Sequence, residues 1–129
     1  MNADSIIYET KERVNEFANT KVFSNRISPK GTLLMSFKLT VGKVSILGVD
    51  AFHNEAIVSI FPYIQDKDIT KVYLFKILPL ISKLGDFKDA IKGSTLNSES
   101  LYNLLLPLPP LNEQARIVRK IESSFRACL

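Results

Sequence analysis

The sequence predicts an α+β fold, in which a compact, mostly β domain with a buried helix is followed by a protruding C-terminal helix. Three short, mostly apolar runs, at 33–37, 44–49 and 56–62, are separated by turn residues, which is typical of strands. A longer apolar run at 70–84 lacks the alternation of a strand and indicates a buried helix. Residues 111–129 are charged and amphipathic, which indicates a surface helix.

Length and composition are those of a single globular domain. The chain has 129 residues, 46% of them hydrophobic, which is enough for a real core. The single cysteine, Cys128, excludes an internal disulfide, and without a positioned base we interpret it as a seam or helix-end residue rather than a nucleophile. The most apolar window, 72–81, is too short to span a bilayer, and we see no signal peptide, so we expect no membrane role and a cytoplasmic location.

The remaining elements follow in order from local signals. Residues 6–8 read as a short strand, and Thr10 is a suitable cap for a helix that runs to about residue 18. The Ser-Pro-Lys-Gly sequence at 28–31 predicts a turn. Pro79 predicts a bend in the apolar helix, because proline removes a backbone hydrogen bond. A helical spacing continues at 87–91 and ends at Gly93.

A proline-rich connector precedes the last helix. Pro107, Pro109 and Pro110 lack amide donors and have a fixed φ, so they impose an extended corner. Asn112 is the predicted N-cap, and Glu113 lies in the first turn, where the helix dipole favours a negative charge. Cations follow toward the other end of the helix, where the dipole favours them: Arg119, Lys120 and Arg126.

This helix has an apolar stripe that predicts a helical partner. Gln114, Val118, Ile121, Phe125 and Cys128 alternate in spacings of four and three, the seam pattern of paired helices. Because the proline corner directs the helix away from the preceding strand, we expect it not to fold back and bury the stripe. We therefore predict a partner interface at Val118, Ile121 and Phe125, with homodimerisation as one possibility.

No catalytic motif is complete. The Gly-Lys pair at 42–43 lacks the upstream glycine and the following Ser or Thr of a phosphate-binding loop. The Glu-Thr-Lys sequence at 9–11 has a spacing used by nucleases but no partner acid. His53 has no second His or Cys at ligand spacing, so we predict no metal site and no cofactor. The amide of neighbouring Asn54 suits a bond to the backbone or to DNA, and the structural role is the commoner one.

Two loops carry residue types that suit DNA. Basic residues between Lys21 and Lys43 are not interrupted by any acid. Lysine and hydroxyl side chains contact phosphates, and asparagine pairs with adenine, although such loop lysines are most often simply solvated. The candidate DNA-binding residues are Lys38, Thr40 and Lys43 on one loop, and Lys88, Lys92, Ser94, Thr95 and Asn97 on or beside the other.

The C-terminal third resembles a known family. LPLPPLNEQARIVRKIE, at 106–122, resembles the junction between a target recognition domain and the conserved spacer helix in the specificity subunit of type I restriction-modification enzymes. Residues 29–47 are similar to the strand, glycine loop and strand of that domain, and residues 93–110 to its final loop and strand. The three blocks occur in the family's order, and the resemblance extends from about Tyr8 onward.

The resemblance implies a non-catalytic protein that binds one half of a bipartite site in double-stranded DNA and holds the methyltransferase and restriction subunits. Residues 1–110 would be part of a target recognition domain, and residues 111–129 a spacer or dimerisation helix. The family's subunit normally has two such domains, each opening with a further strand-rich segment. The alternative is therefore a truncated assembly or dimerisation fragment that does not bind DNA. The recognised bases depend on loop geometry, which the sequence leaves open.

Overall fold

The computed structural model divides into two compact units, Met1–Phe61 and Pro62–Leu129. Among the described residues, the first unit contains a four-stranded sheet and the second contains two helices, which confirms the α+β prediction. The functional boundary between residues 110 and 111 stays a prediction. The structure describes residues 5–9, 26–37, 42–64, 67–84 and 102–127.

The sheet is mixed. Strand β1 pairs in parallel with β3, whereas β2 pairs in antiparallel fashion with both β3 and β4, giving the order β1-β3-β2-β4. Each strand lies at or next to its predicted position and is no longer than its predicted run. The strand bounds are β1 Ser5–Ile7, β2 Leu33–Ser36, β3 Val44–Leu47 and β4 Ile57–Ile60.

The register gives the two faces of the sheet different chemistry. One row across all four strands is apolar, and the adjacent row is mostly serine. Because neighbouring residues in a strand point to opposite faces, the two rows lie on opposite sides. The apolar row is Ile6, Ile46, Leu33 and Ile60, and the serine-rich row is Ser5, Ser45, Leu34 and Ser59. Leu33, Val44 and Ser45 are all fully buried, so the sheet centre is covered on both faces.

The predicted turn before β2 is present. The Thr32 amide donates to the carbonyl of Pro29 at 3.1 Å, and the Thr32 hydroxyl donates to the same oxygen at 2.6 Å. Gly31 has a φ of 86°, a left-handed conformation that other residues adopt only at a cost. The chain therefore enters β2 through a turn that its own sequence specifies.

The second unit contains α1, Ile69–Ile81, and α2, Leu111–Ala127. Helix α1 includes Pro79, and the bend expected there stays a prediction. Of its four buried residues, Thr70, Leu74 and Leu78 are spaced by four and lie on one face with Tyr73 beside them, whereas Leu80 is 42% exposed. The prediction of a buried helix is correct for one face only.

Helix α2 begins two residues before the position that its predicted cap implies. The carbonyl of Pro110 accepts hydrogen bonds from the amides of Glu113 at 2.9 Å and Gln114 at 3.0 Å, so the first turn starts there. Asn112 lies inside that turn, and its predicted role as N-cap is wrong. Proline interrupts a helix interior but is well tolerated at its start, because the first amides have no intrahelical acceptor. Glu113 in the first turn and Arg126 in the last are as predicted.

The predicted helix at 10–18, the helical spacing at 87–91 and the loop at 93–98 lie outside the described residues. Across the parts of the chain that the structure describes, neither helix is both long and apolar enough to cross a membrane.

Candidate DNA interface and helix surface

The β2–β3 connection places Lys43 at the surface. The Ser36 amide donates to the Lys43 carbonyl at 2.9 Å, and the Gly42 amide donates to the Ser36 carbonyl at 3.0 Å. Gly42 has a φ of 84°, which lets the backbone turn back into β3. Val44, the next residue, is fully buried, whereas Lys43 is exposed. The backbone of this lysine is thus anchored, and its exposed side chain can reach a phosphate.

Lys43 is the one predicted DNA-binding residue that the structure describes. The other members of both predicted loops lie outside the described residues, so their arrangement around Lys43 stays a prediction. These residues are Lys38, Thr40, Lys88, Lys92, Ser94, Thr95 and Asn97.

The acid-free stretch of sequence has an acid beside it in space. The Asp50 carboxylate accepts a hydrogen bond from the Lys30 amide at 2.7 Å. This contact joins the turn before β2 to the connection after β3. A basic window in the sequence therefore overstates the positive charge at this part of the surface.

Asn54 has the structural role. Its side-chain oxygen accepts a hydrogen bond from the Ala56 amide at 3.0 Å, and its carbonyl accepts from the Ile57 amide at 3.2 Å. Asparagine side chains commonly stabilise turns in this way. The oxygen is used to form the turn that leads into β4.

His53 belongs to a chain of hydrogen bonds that the sequence did not reveal. Its Nδ1 lies 3.1 Å from the Asn54 carbonyl, and its Nε2 lies 2.8 Å from the Ser59 hydroxyl. Since a carbonyl only accepts, Nδ1 carries the proton in neutral His53 and Nε2 accepts from Ser59. Ser59 in turn accepts from the Ser28 hydroxyl at 2.8 Å. The spacing of Ser28, His53 and Ser59 in the sequence has no recognisable pattern, so only the fold brings them together.

Metal binding has no support in the described part of the chain. Within it, no three His, Cys, Asp or Glu side chains are grouped so as to hold an ion. Both ring nitrogens of His53 are already hydrogen-bonded, one to the Asn54 carbonyl and the other to the Ser59 hydroxyl.

In the second unit, α1 packs against α2, and two side chains bind the proline connector. The Tyr73 hydroxyl donates to the Pro107 carbonyl at 2.9 Å, and the Gln114 amide nitrogen donates to the Pro109 carbonyl at 2.8 Å. Burial raises the pKa of the Tyr73 phenol above its ordinary value, so the phenol stays a donor. One residue from each helix thus fixes the connector to the helix pair.

This packing divides the predicted partner stripe. Val118 is 9% exposed and buried in the pair, Ile121 is half-buried, and Phe125 is 62% exposed. The expectation that the proline corner keeps the whole stripe away from its own chain is wrong for Val118. The physical reason is that α1 supplies the partner, and the ion pair of Lys76 with Glu122 at 3.9 Å joins the same two helices.

The opposite side of α2 is polar and basic. Arg116 Nε donates to a Glu113 carboxylate oxygen at 2.9 Å, and this bond lowers the pKa of Glu113 and raises that of Arg116. Both groups are solvated, so the pair adds little to stability. Three further cations are exposed along this side: Arg119, Lys120 and Arg126.

The fold and sequence blocks together define a family. A family model described as the type I restriction modification DNA specificity domain matches residues 3–128, so the chain belongs to that family. The resemblance first seen at 106–122 is thereby confirmed.

Two solved structures share the fold. The HsdS subunit from Thermoanaerobacter tengcongensis is 22% identical, with a TM-score of 0.53. A chain from a structure titled "Structural basis underlying complex assembly and conformational transition of the type I R-M system" is 20% identical, with a TM-score of 0.57. Each match covers 78% of this chain and 24% of the other, so the chain spans about a quarter of those proteins.

Proposed function

We propose that this chain is part of the DNA-recognition component of a type I restriction-modification system, and that it binds one half of a bipartite site in double-stranded DNA. The observation that carries the proposal is the match of the DNA specificity family to residues 3–128, nearly the whole chain. The exposed Lys43 on its anchored hairpin and the formal charge of +4 support contact with phosphates.

We also propose that the chain is non-catalytic and that it acts beside methyltransferase and restriction subunits. A binding role needs side chains held in place, and the backbone hydrogen bonds of Ser36 with Gly42 and Lys43 hold the chain where β3 begins. Of the Glu-Thr-Lys sequence that suggested a nuclease, Glu9 is described, and it is an exposed residue beyond the end of β1. The half-exposed end of the stripe, Ile121 and Phe125, is the proposed surface for a helical partner.

The second candidate function is assembly without DNA binding. It is favoured by the 62% exposure of Phe125 on α2. A protein of this kind would pair through α2, either with a second copy or with a companion subunit. DNA binding distinguishes the two candidates directly.

The test is fluorescence anisotropy of the purified chain with a labelled pool of randomised duplexes. We expect binding that weakens steeply as salt rises, because phosphate contacts release counterions. Lys43→Ala should weaken binding to all sequences alike, and should reduce the salt slope by about 1. Lys83→Ala, which removes an exposed lysine outside both predicted loops, is the matched control and should bind as wild type. Absence of binding even at low salt would favour the assembly candidate.

A further inference from the structure

The outer side of α2 presents a row of cations with no apolar residue among them. Residues 116, 119, 123 and 126 are spaced by three or four, so they lie on one side of the helix, with Lys120 next to them. All five side chains are exposed, and the buried residues Gln114 and Val118 lie on the opposite side, against α1. We name this surface the basic strip: Arg116, Arg119, Lys120, Ser123 and Arg126.

The acids of α2 leave most of the strip without a partner. Glu113 is bound to Arg116, and Glu122 lies on the α1 side, 3.9 Å from Lys76. Among the described residues, Arg119, Lys120 and Arg126 have no carboxylate within ion-pair distance. Three like charges close together on one helix repel each other, a cost that an anionic partner removes.

The strip's chemistry favours a phosphate backbone over a protein surface. Stable protein interfaces have a buried apolar core, and this strip has none. Arginine, lysine and serine are the side chains that contact phosphates and fix a protein's position on a duplex. Arg119 and Arg126 are seven positions apart, or about 10 Å along the helix, and the whole of α2 is about 26 Å long. One strand of DNA rises about 3.4 Å along the duplex axis per phosphate, so a row of cations of this length can face several phosphates.

The strip is also independent of the apolar stripe. In paired helices the seam residues face the partner, and the positions on the far side of the helix stay outside the pair. The cations of the strip occupy those far positions, so a helix packed against Ile121 and Phe125 would leave them uncovered. The strip therefore stays accessible to a second ligand when the apolar stripe is covered.

We propose that the basic strip of α2 binds the phosphate backbone of duplex DNA without regard to sequence, in addition to the contacts of the recognition loops. This inference rests on the proposed function, since it assumes that DNA is the ligand of the chain. Helix α2 would then contribute to the affinity for DNA and not to its sequence specificity.

The test compares Arg119→Gln/Arg126→Gln with Lys67→Gln/Lys83→Gln, a control that removes two exposed cations of the same unit outside the strip. Affinity for a labelled duplex of about 30 base pairs is measured between 50 and 200 mM salt, with circular dichroism melting to check folding. Removing two phosphate contacts should reduce the slope of log K against log salt by about 1.8, equally on every duplex. The control should keep the wild-type slope.

The outcomes separate the two proposals. If wild type binds duplexes and Lys43→Ala weakens that binding while the strip variant keeps the full slope, the strip proposal is overturned and the proposed function stands. If the strip variant binds DNA as wild type but loses capture of a methyltransferase subunit, the strip is a protein-binding surface and the proposal is again overturned. If wild type binds no duplex at low salt, the proposed function itself fails.

Discussion

Gln114 shows how a buried polar residue can be fixed on one side and unsatisfied on the other. Its side chain is 2% exposed, and its amide nitrogen donates to the Pro109 carbonyl. Its Oε1 has no hydrogen-bond partner in the part of the chain that the structure describes. An unsatisfied buried acceptor costs about 1–3 kcal/mol, whereas one hydrogen bond contributes about 1 kcal/mol. The polarity of Gln114 therefore adds little to stability, and its bulk matters more.

This balance predicts different results for two substitutions of nearly equal size. Gln114→Met removes both the bond and the unsatisfied oxygen, so the free energy of unfolding, measured in urea at pH 7, should change by less than about 1 kcal/mol. Gln114→Glu puts a carboxylate beside the Pro109 carbonyl in a buried site and should cost more than about 2 kcal/mol.

The Gln114→Glu variant should also depend on pH. Burial raises the folded-state pKa of such a carboxyl above its unfolded value, so the folded state binds the proton more tightly. Stability should then be recovered as the pH falls through the raised folded pKa toward the unfolded value. A Glu variant as stable as wild type at pH 7, or a Met variant that loses more than about 2 kcal/mol, would show that Oε1 has a partner.

At the scale of elements, the sequence predicted which helices and strands are present better than it predicted how they pack. Strands β2, β3 and β4 and both helices follow from local patterns of apolar and turn residues, and the structure places them there. The predicted start of α2 was wrong because Asn112 and Pro110 are both acceptable near a helix N-terminus, and residue propensity alone does not choose between them. Packing of α1 on α2 was missed because a seam pattern does not identify its partner.

In α2 the same substitution can be compared at a buried and at an exposed position of the apolar stripe. Val118→Asp places a charge in the buried helix pair, and should lower the free energy of unfolding by about 3 kcal/mol or more. Phe125→Asp changes an exposed position, and should leave the free energy of unfolding of the monomer within about 0.5 kcal/mol of the wild-type value.

Self-association is the second property to measure for these variants. An exposed Phe forfeits about 1.5–3 kcal/mol of burial, so we expect concentration-dependent dimerisation in sedimentation equilibrium that Phe125→Asp abolishes. Ile121→Asp, at a half-buried position, should reduce both stability and association. A wild-type chain that stays monomeric at high concentration would contradict pairing through this end of the stripe.

For the whole molecule, the family was predictable because three sequence blocks occur in order, and the match to residues 3–128 confirms it. The network of Ser28, His53 and Ser59 was not predictable, because Ser28 is far from the other two in sequence and each residue is unremarkable alone. The same holds for Asp50 beside Lys30, a contact that changes the charge seen at the surface. Long-range contacts of this kind depend on sheet register, which local patterns do not determine.

The central claim is that this chain reads DNA sequence, and selection from a randomised duplex pool tests it most directly. Repeated rounds of binding and amplification with the full chain should enrich one short motif. Single base changes within that motif should each cost about 1–3 kcal/mol of binding free energy, while changes outside it cost almost nothing. A pool that remains random after selection, with equal affinity for the selected and the scrambled duplexes, would contradict the claim.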